Sequence, residues 1–189
     1  MSFLFLNEYI KDIRRVGAVA PSSRFLARKM ASQIDFGRAK LIIEYGPGTG
    51  VFTSEIVRRM QPGAKLIIIE TNPAFYAKLL AKYDNMTHVE VIQDSAEHIS
   101  SIHTKRALPA PDYIISGLPF AALPANTSKA ILKSTAKLLG AKGVFVTFQY
   151  TLLKRALFEA YFDDIYVTHE LRNIPPAYIL RCHRVDHLL

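Results

Sequence analysis

The stretch "AKLIIEYG" (39–46), followed at once by "PGTG" (47–50) and "VFTSEIVRRM" (51–60), decides how this chain is read. The first segment is apolar on both faces, as a buried parallel strand must be. Gly46, Gly48 and Gly50 follow it, and the next stretch has helical spacing until Gln61-Pro62-Gly63 stops it. A glycine loop between strand and helix lets a ligand approach the helix N-terminus with no Cβ in the way. Alone it is weak evidence, because a plain strand–helix turn uses the same glycines.

The alternation continues outward. "AKLIIIE" (64–70) reads as a strand and "NPAFYAKLLAKY" (72–83) as a helix, with Asn72 as its N-cap and Pro73 at its first position. "HVEVIQ" (88–93) is a strand, "SAEHISSI" (95–102) a short helix, and "DYIIS" (112–116) a strand. "ANTSKAILKSTAKLL" (125–139) is a helix, "GVFVTFQY" (143–150) a strand and "TLLKRALFEAYF" (151–162) a helix. The tail breaks the rhythm: "DIYVTHELRN" (164–173), "IPPA" and "YILRCHRV" (178–185) read as two strands joined by a short turn. The pattern predicts a Rossmann-like α/β fold, a seven-stranded, mostly parallel sheet that ends in an antiparallel hairpin, with helices on both faces. Ahead of the sheet, residues 1–38 form an expected helical cap before a domain over 39–189. In "FLFLNEYIKDIRRV" (3–16), Phe3, Leu6, Ile10 and Ile13 share one helical face, bordered by Lys11, Arg14 and Arg15. A second helix is expected over 22–34, with a serine cap.

Bulk properties narrow the function classes. A chain of 189 residues supports one substantial core. No run approaches the roughly 18–20 apolar residues of a transmembrane helix. Cys182 is the only cysteine, so neither a disulfide framework nor a thiolate metal site is expected. His98, His103, His169, His183 and His187 lack ligand spacing, and no metal is expected. The charges at the start follow the apolar residues, the wrong order for a secretory signal, so a cytoplasmic location is expected. A net charge of +8 favours a polyanionic partner, either nucleic acid or an anionic membrane surface.

Three acids stand in register with the glycine loop. Glu44 precedes Gly46, Glu70 ends the second strand, and Asp94 follows the third. Glu70 is placed to accept from both hydroxyls of a ribose. In a nicotinamide site the loop would face a pyrophosphate, which Glu44 would repel, and position 51 would call for Gly or Ala where this chain has Val51. An S-adenosylmethionine site instead presents an amino acid and a sulfonium, so Glu44 can orient the ammonium and Asp94 can accept from the adenine amine. Asp94 also reads as a helix N-cap.

"IEYGPGTGVF", "IIIETNP", "VIQDSAEH" and "DYIISGLPF", with the terminal hairpin, resemble the class I S-adenosylmethionine-dependent methyltransferases over residues 39–185. The resemblance implies that Glu44, Gly46, Gly48 and Gly50 cradle the methionine part of the cofactor, Glu70 with Thr71 the ribose, and Asp94 with Ser95 the adenine. Gly117 would lie beside the transferring methyl.

Two subfamilies differ in acceptor. The rRNA adenine dimethyltransferases carry Asn-Leu-Pro-Tyr after the fourth strand, where the amide grips the adenine amine and the Tyr stacks on the flipped base. Here the sequence is Gly117-Leu118-Pro119-Phe120: a ring remains and the amide is gone. No RNA-gripping helical domain is expected after the hairpin. The bacterial phospholipid N-methyltransferases resemble the chain more fully, through "RRVGAVAPSSRFLARKM" (14–30), "EYGPGTGVFT" (44–53), "SGLPFAALP" (116–124) and "NIPPAYILR" (173–181). That resemblance implies methylation of a phosphatidylethanolamine-type headgroup amine. The residue chemistry of the basic amphipathic segment 3–16 fits docking on the inner face of the cell membrane, or packing on the domain's own core as a cover over the cofactor. The expected chemistry is direct in-line transfer to a neutral amine without a covalent intermediate or metal. Gly117 and Phe120 would shape a dry slot, Phe120 would face the amine through its ring, and Tyr9, Glu8, His98 and Tyr178 are the candidate bases. An RNA or small-molecule methyltransferase, or a non-catalytic S-adenosylmethionine-binding module, are the alternatives.

Overall fold

Strands that are apolar on both faces must be covered on both, and this chain does so with a helix after nearly every strand. In the computed structural model, which describes residues 23–184, helix α1 (Arg24–Ala31) precedes β1 (Leu41–Tyr45), α2 (Val51–Arg59), β2 (Lys65–Glu70), α3 (Pro73–Tyr83) and β3 (Val89–Gln93). A 3-10 turn (Ala96–His98) runs into α4 (Ile99–Lys105), followed by β4 (Tyr113–Ser116), α5 (Ala125–Leu139), β5 (Val144–Gln149) and α6 (Arg155–Glu159). The hairpin β6 (Asp164–Glu170) and β7 (Ala177–His183) completes the fold.

All seven strands form one sheet in the order β3-β2-β1-β4-β5-β7-β6. β1 to β5 are mutually parallel, and β7 is antiparallel to both β5 and β6. The chain builds outward from β1 through β3, then returns to the other side of β1 with β4. Such a reversal opens a crevice at the carboxyl ends of the two central strands. Here the register pairs Tyr45 with Ser116, so Gly46 and Gly117 emerge side by side.

Alternation along β1 assigns its residues to two cores. Ile43 and Tyr45 pack with Ile67, Leu132 and Phe145 on the α4–α5 side. Ile42 packs with Leu26, Met30, Phe52 and Leu79 on the α1–α3 side. Burying each large aliphatic or aromatic side chain contributes roughly 1.5–3 kcal/mol. Helix α1 is thus part of the main core, with Ser23 as its N-cap accepting from the Leu26 amide at 3.2 Å. Asn72 caps α3 through the amides of Ala74 and Phe75, as its sequence predicts.

Two helices differ from expectation. The stretch 95–102 splits into the 3-10 turn and the start of α4, because Ser95 caps the Glu97 amide at 3.2 Å and begins a tighter turn. The helix expected over 151–162 is confined to Arg155–Glu159. Before it, Thr151 Oγ1 accepts from the Leu153 amide and Lys154 Nζ donates to the Ala121 carbonyl at 2.7 Å, holding 151–154 in a turn. The expected docking segment 3–16, with Tyr9 and Glu8, lies outside the described residues, as does His187. No helix among the described residues is long and apolar enough to cross a membrane.

Candidate active site

The glycine loop is fastened to the sheet by backbone and carboxylate together. The Gly46 amide donates to the Ile69 carbonyl at 2.9 Å, and the Gly48 amide donates to Glu70 Oε2 at 3.0 Å. Glu70 Oε1 accepts from the Asn72 amide at 2.8 Å, so one carboxylate ties the loop to the start of α3. Burial raises the Glu70 carboxyl above its ordinary value, and the amides of Asn72, Gly48 and Thr71 pull it back. Gly48 sits at φ +56° with nothing within 4 Å of where a Cβ would stand. Its backbone faces open space, which is what a loop that receives a ligand requires.

Gly117 answers to a different constraint. Its amide donates to the Tyr45 carbonyl at 2.9 Å. A Cβ placed there would lie 2.6 Å from the Gly46 carbonyl oxygen, so the neighbouring backbone excludes any side chain at this position. Leu118 closes over the same spot, for a Cβ on Gly46 would meet its Cδ2 at 2.7 Å. The two central strand ends are packed backbone to backbone under a leucine.

Beneath the loop, Glu44 is fully buried on the α2 side of β1. Neither of its carboxylate oxygens has a hydrogen-bond partner among the described residues, and neither does Thr53 Oγ1 beside it. Burial pushes the Glu44 carboxyl up to about 8; Thr53 draws it down without closing a bond, and the nearby Glu70 charge raises it further. Asp94, one residue beyond the Gln93–Glu70 pair of β3 and β2, is more open. Its Oδ1 accepts from the Ser95 amide at 2.7 Å and meets His98 Nδ1 at 2.6 Å. Partial burial would raise its carboxyl, but His98, the Ser95 amide and Lys105 outweigh this and hold it below the ordinary value. The N-cap here is Ser95, not Asp94, because the Ser95 hydroxyl is the group that reaches the Glu97 amide.

Phe120 does not line the crevice. Its side chain is fully buried, with ring centroids 5.3 Å from Phe158 and 6.2 Å from Phe145, both edge-on. The turn after Pro119 swings the ring into the core, so its contribution is to anchor the loop. Tyr178 stands opposite Gln149 across β5 and β7, with its ring centroid 4.8 Å from that of His169.

A polar ladder that the sequence reading did not single out holds this loop in place. Thr147 Oγ1 donates to the Ser116 carbonyl at 3.2 Å, Gln149 Nε2 approaches Thr147 Oγ1 at 3.5 Å, and Ser116 Oγ accepts from the Leu118 amide at 3.2 Å. All three side chains are buried. The available signal was a polar residue on the last inward position of an otherwise apolar strand, in "YIIS" and "VTFQ".

The arrangement brings together Glu44, Gly46, Gly48, Glu70 and Gly117, with Asp94 and Ser95 one strand farther out. These residues fit S-adenosylmethionine: an orphaned buried carboxylate for an ammonium, open backbone for the chain, and acids at two further strand ends. Among the described residues no cluster of His, Cys, Asp and Glu could hold a metal ion.

Comparisons with known proteins bear on the family and the fold. The family model described as "Ribosomal RNA adenine dimethylase" matches residues 22–163. An ornithine lipid N-methyltransferase from Singulisphaera acidiphila is 28% identical over 185 residues, covering 97% of this chain and 96% of that protein. A ribosomal RNA small subunit methyltransferase A from Mycoplasma mycoides subsp. mycoides is 32% identical over 99 residues, which are 50% of this chain and 35% of that protein. Among solved structures, an O-methyltransferase from Bacillus cereus in complex with SAH superposes with a TM-score of 0.72 at 12% identity, covering 97% of this chain and 92% of that one. The N-methyltransferase NodS from Bradyrhizobium japonicum gives a TM-score of 0.66 at 10% identity, covering 86% and 97%. At such identities the structural likenesses speak for the fold.

Proposed function

We propose, from the premise that this chain belongs to the ribosomal RNA adenine dimethylase family, that its acceptor is nonetheless the amine of a membrane-lipid headgroup and not a nucleic-acid base. The chain is a class I S-adenosylmethionine-dependent methyltransferase; the proposal concerns what it methylates. One observation carries it. A base-methylating relative needs an asparagine amide at the position of Gly117, and here a Cβ would lie 2.6 Å from the Gly46 carbonyl oxygen. This backbone has no room for the amide that would grip an adenine amine. The reading is supported by the relative whose similarity spans nearly the whole chain, an ornithine lipid N-methyltransferase, whereas likeness to the rRNA enzyme covers half.

Bound S-adenosylmethionine supplies an electrophilic methyl group on a sulfonium. Glu44 would hold the methionine ammonium, Glu70 with Thr71 the ribose hydroxyls, and Asp94 with Ser95 the adenine edge. Gly117, packed against the Gly46 carbonyl, would lie beside the transferring methyl, while the buried Ser116–Thr147–Gln149 ladder holds the Gly117–Leu118 turn in place. Alignment and exclusion of water supply the rate enhancement. The acceptor amine must be uncharged when it arrives; of the candidate bases, His98 and Tyr178 lie among the described residues, His98 against Asp94 and Tyr178 opposite Gln149.

The test incubates the protein with methyl-labelled S-adenosylmethionine and, in separate reactions, phosphatidylethanolamine vesicles, ornithine-lipid vesicles and total RNA. Label in a lipid fraction is expected, and the two vesicle types decide between a phosphoethanolamine and an aminoacyl headgroup. Label in RNA with none in either lipid would overturn the proposal.

A further inference from the structure

Among the described residues, three large aliphatic side chains are left in solvent on two turns. Leu153 is 91% exposed, Leu171 74% and Ile174 79%. Leu153 follows β5, and Leu171 and Ile174 lie in the β6–β7 turn. The register pairs Gln149 with Tyr178 and Glu170 with Ala177, so both turns leave the same edge of the sheet. That edge is the carboxyl end of the parallel strands, where Gly48 and Gly117 lie.

Exposed cations accompany these tips. Lys154 and Arg155 follow Leu153, Arg172 follows Leu171, and Arg24 opens α1. The Arg172 guanidinium lies 4.5 Å from the Phe25 ring centroid and bonds Glu170 through both Nε and Nη2 at 2.9 Å. Asn173 braces the turn: its Oδ1 accepts from the Ser23 amide at 3.1 Å, and its Nδ2 donates to the Pro175 carbonyl at 2.7 Å. The β6–β7 tip is therefore presented on a fixed support, and residues 1–22 join the described chain beside it.

We infer that Leu153, Leu171 and Ile174, with the cations around them, form a docking surface that seats the active-site edge on an anionic bilayer. This deepens the lipid-acceptor reading and rests on it. Aliphatic tips with exposed cations next to them, Arg155 and Arg172 paired with Glu159 and Glu170 and Lys154 on the Ala121 carbonyl, match an interface where acyl chains lie beneath phosphates. Three side chains on two turns fall well short of the roughly 1,200 Å² that a stable protein partner buries. The surface also lies at the edge where a headgroup must enter, so docking and substrate capture become one event.

The chain contains no tryptophan, so a single introduced indole reports its own surroundings. Leu153→Trp, Leu171→Trp and Ile174→Trp are compared with Lys142→Trp, placed before β5 at the opposite end of the sheet. Each full-length variant is mixed with vesicles of phosphatidylcholine plus phosphatidylglycerol, with and without brominated acyl chains. The three tip reporters are expected to shift to the blue and to be quenched by bromine, while the Lys142 position stays unchanged. The Leu153→Ser/Leu171→Ser/Ile174→Ser variant is expected to bind these vesicles at least about tenfold more weakly, with its thermal midpoint and cofactor affinity retained. Vesicle-bound protein whose tip reporters remain in water would overturn the inference. So would blue emission without vesicles: independent of concentration it would assign the patch to residues 1–22, and rising with concentration it would assign it to a second copy. Insertion of the tips with no methylation of either lipid would leave the docking surface standing and overturn the acceptor.

Discussion

A fully buried carboxyl with both oxygens unpartnered destabilises a fold unless it stays protonated or meets a cation, and Glu44 is in that position. Its carboxyl is held near 8, against 4.5 for an ordinary glutamate. Between those two values the folded chain keeps a proton that the unfolded chain has released, so stability falls as pH rises through this window. Glu44→Gln removes the titration and is expected to raise the melting midpoint at pH 8 by roughly 5 °C or more. The same change should weaken S-adenosylmethionine binding at least about tenfold, because a neutral amide replaces the partner of the ammonium. In the unaltered protein, cofactor affinity should fall about tenfold per unit as pH drops below 8, since the proton must leave before the ammonium binds. Calorimetric titrations and thermal scans across pH read both effects. An affinity indifferent to pH and to the substitution would remove Glu44 from the cofactor site.

At the scale of elements, the Asn173 side chain ties the β6–β7 turn to the start of α1, beside the Arg172–Phe25 contact and the shared core. Asn173 is 2% exposed and satisfies both the Ser23 amide and the Pro175 carbonyl. Asn173→Ala strands both groups, with an expected cost of about 1–3 kcal/mol in chemical denaturation. The loss should be accompanied by faster amide exchange in 171–176 and at the start of α1, with the glycine loop unaffected. The hairpin itself was legible, because two strand-like runs flank "IPPA" with no helical pattern between them. The curtailment of α6 was not. Residues 151–162 have helical composition throughout, and the Thr151 hydroxyl on the Leu153 amide, together with the reach of Lys154 to Ala121, 33 positions away, holds the first turn in another conformation.

For the whole molecule, a surplus of eight positive charges sets a long-range attraction to anionic surfaces that salt screens. Binding to phosphatidylglycerol-containing vesicles is expected to weaken progressively as salt rises to roughly 0.5 M, leaving a salt-resistant remainder from the aliphatic tips. Co-sedimentation at several salt concentrations measures it, and complete release at moderate salt would mean that apolar contact contributes little. The reversal of strand order between β1 and β4 brings the glycine loop and Gly117 together, at the same end of the sheet as the exposed turns.

The sequence by itself determined the strand and helix order, the antiparallel end of the sheet and the places of Glu44, Glu70 and Asp94 at or just after three successive strand ends, because these rest on local periodicity and glycine spacing within each strand–loop–helix unit. Only the tertiary structure decided what depends on contacts between distant segments. It turned Phe120 into the core against Phe145 and Phe158, and it gave the N-cap to Ser95. It also tied Thr147 to Ser116 and brought the Gly46 carbonyl against Gly117. That last contact joins residues 71 positions apart, and it makes the glycine of "SGLPF" a steric requirement instead of a missing amide.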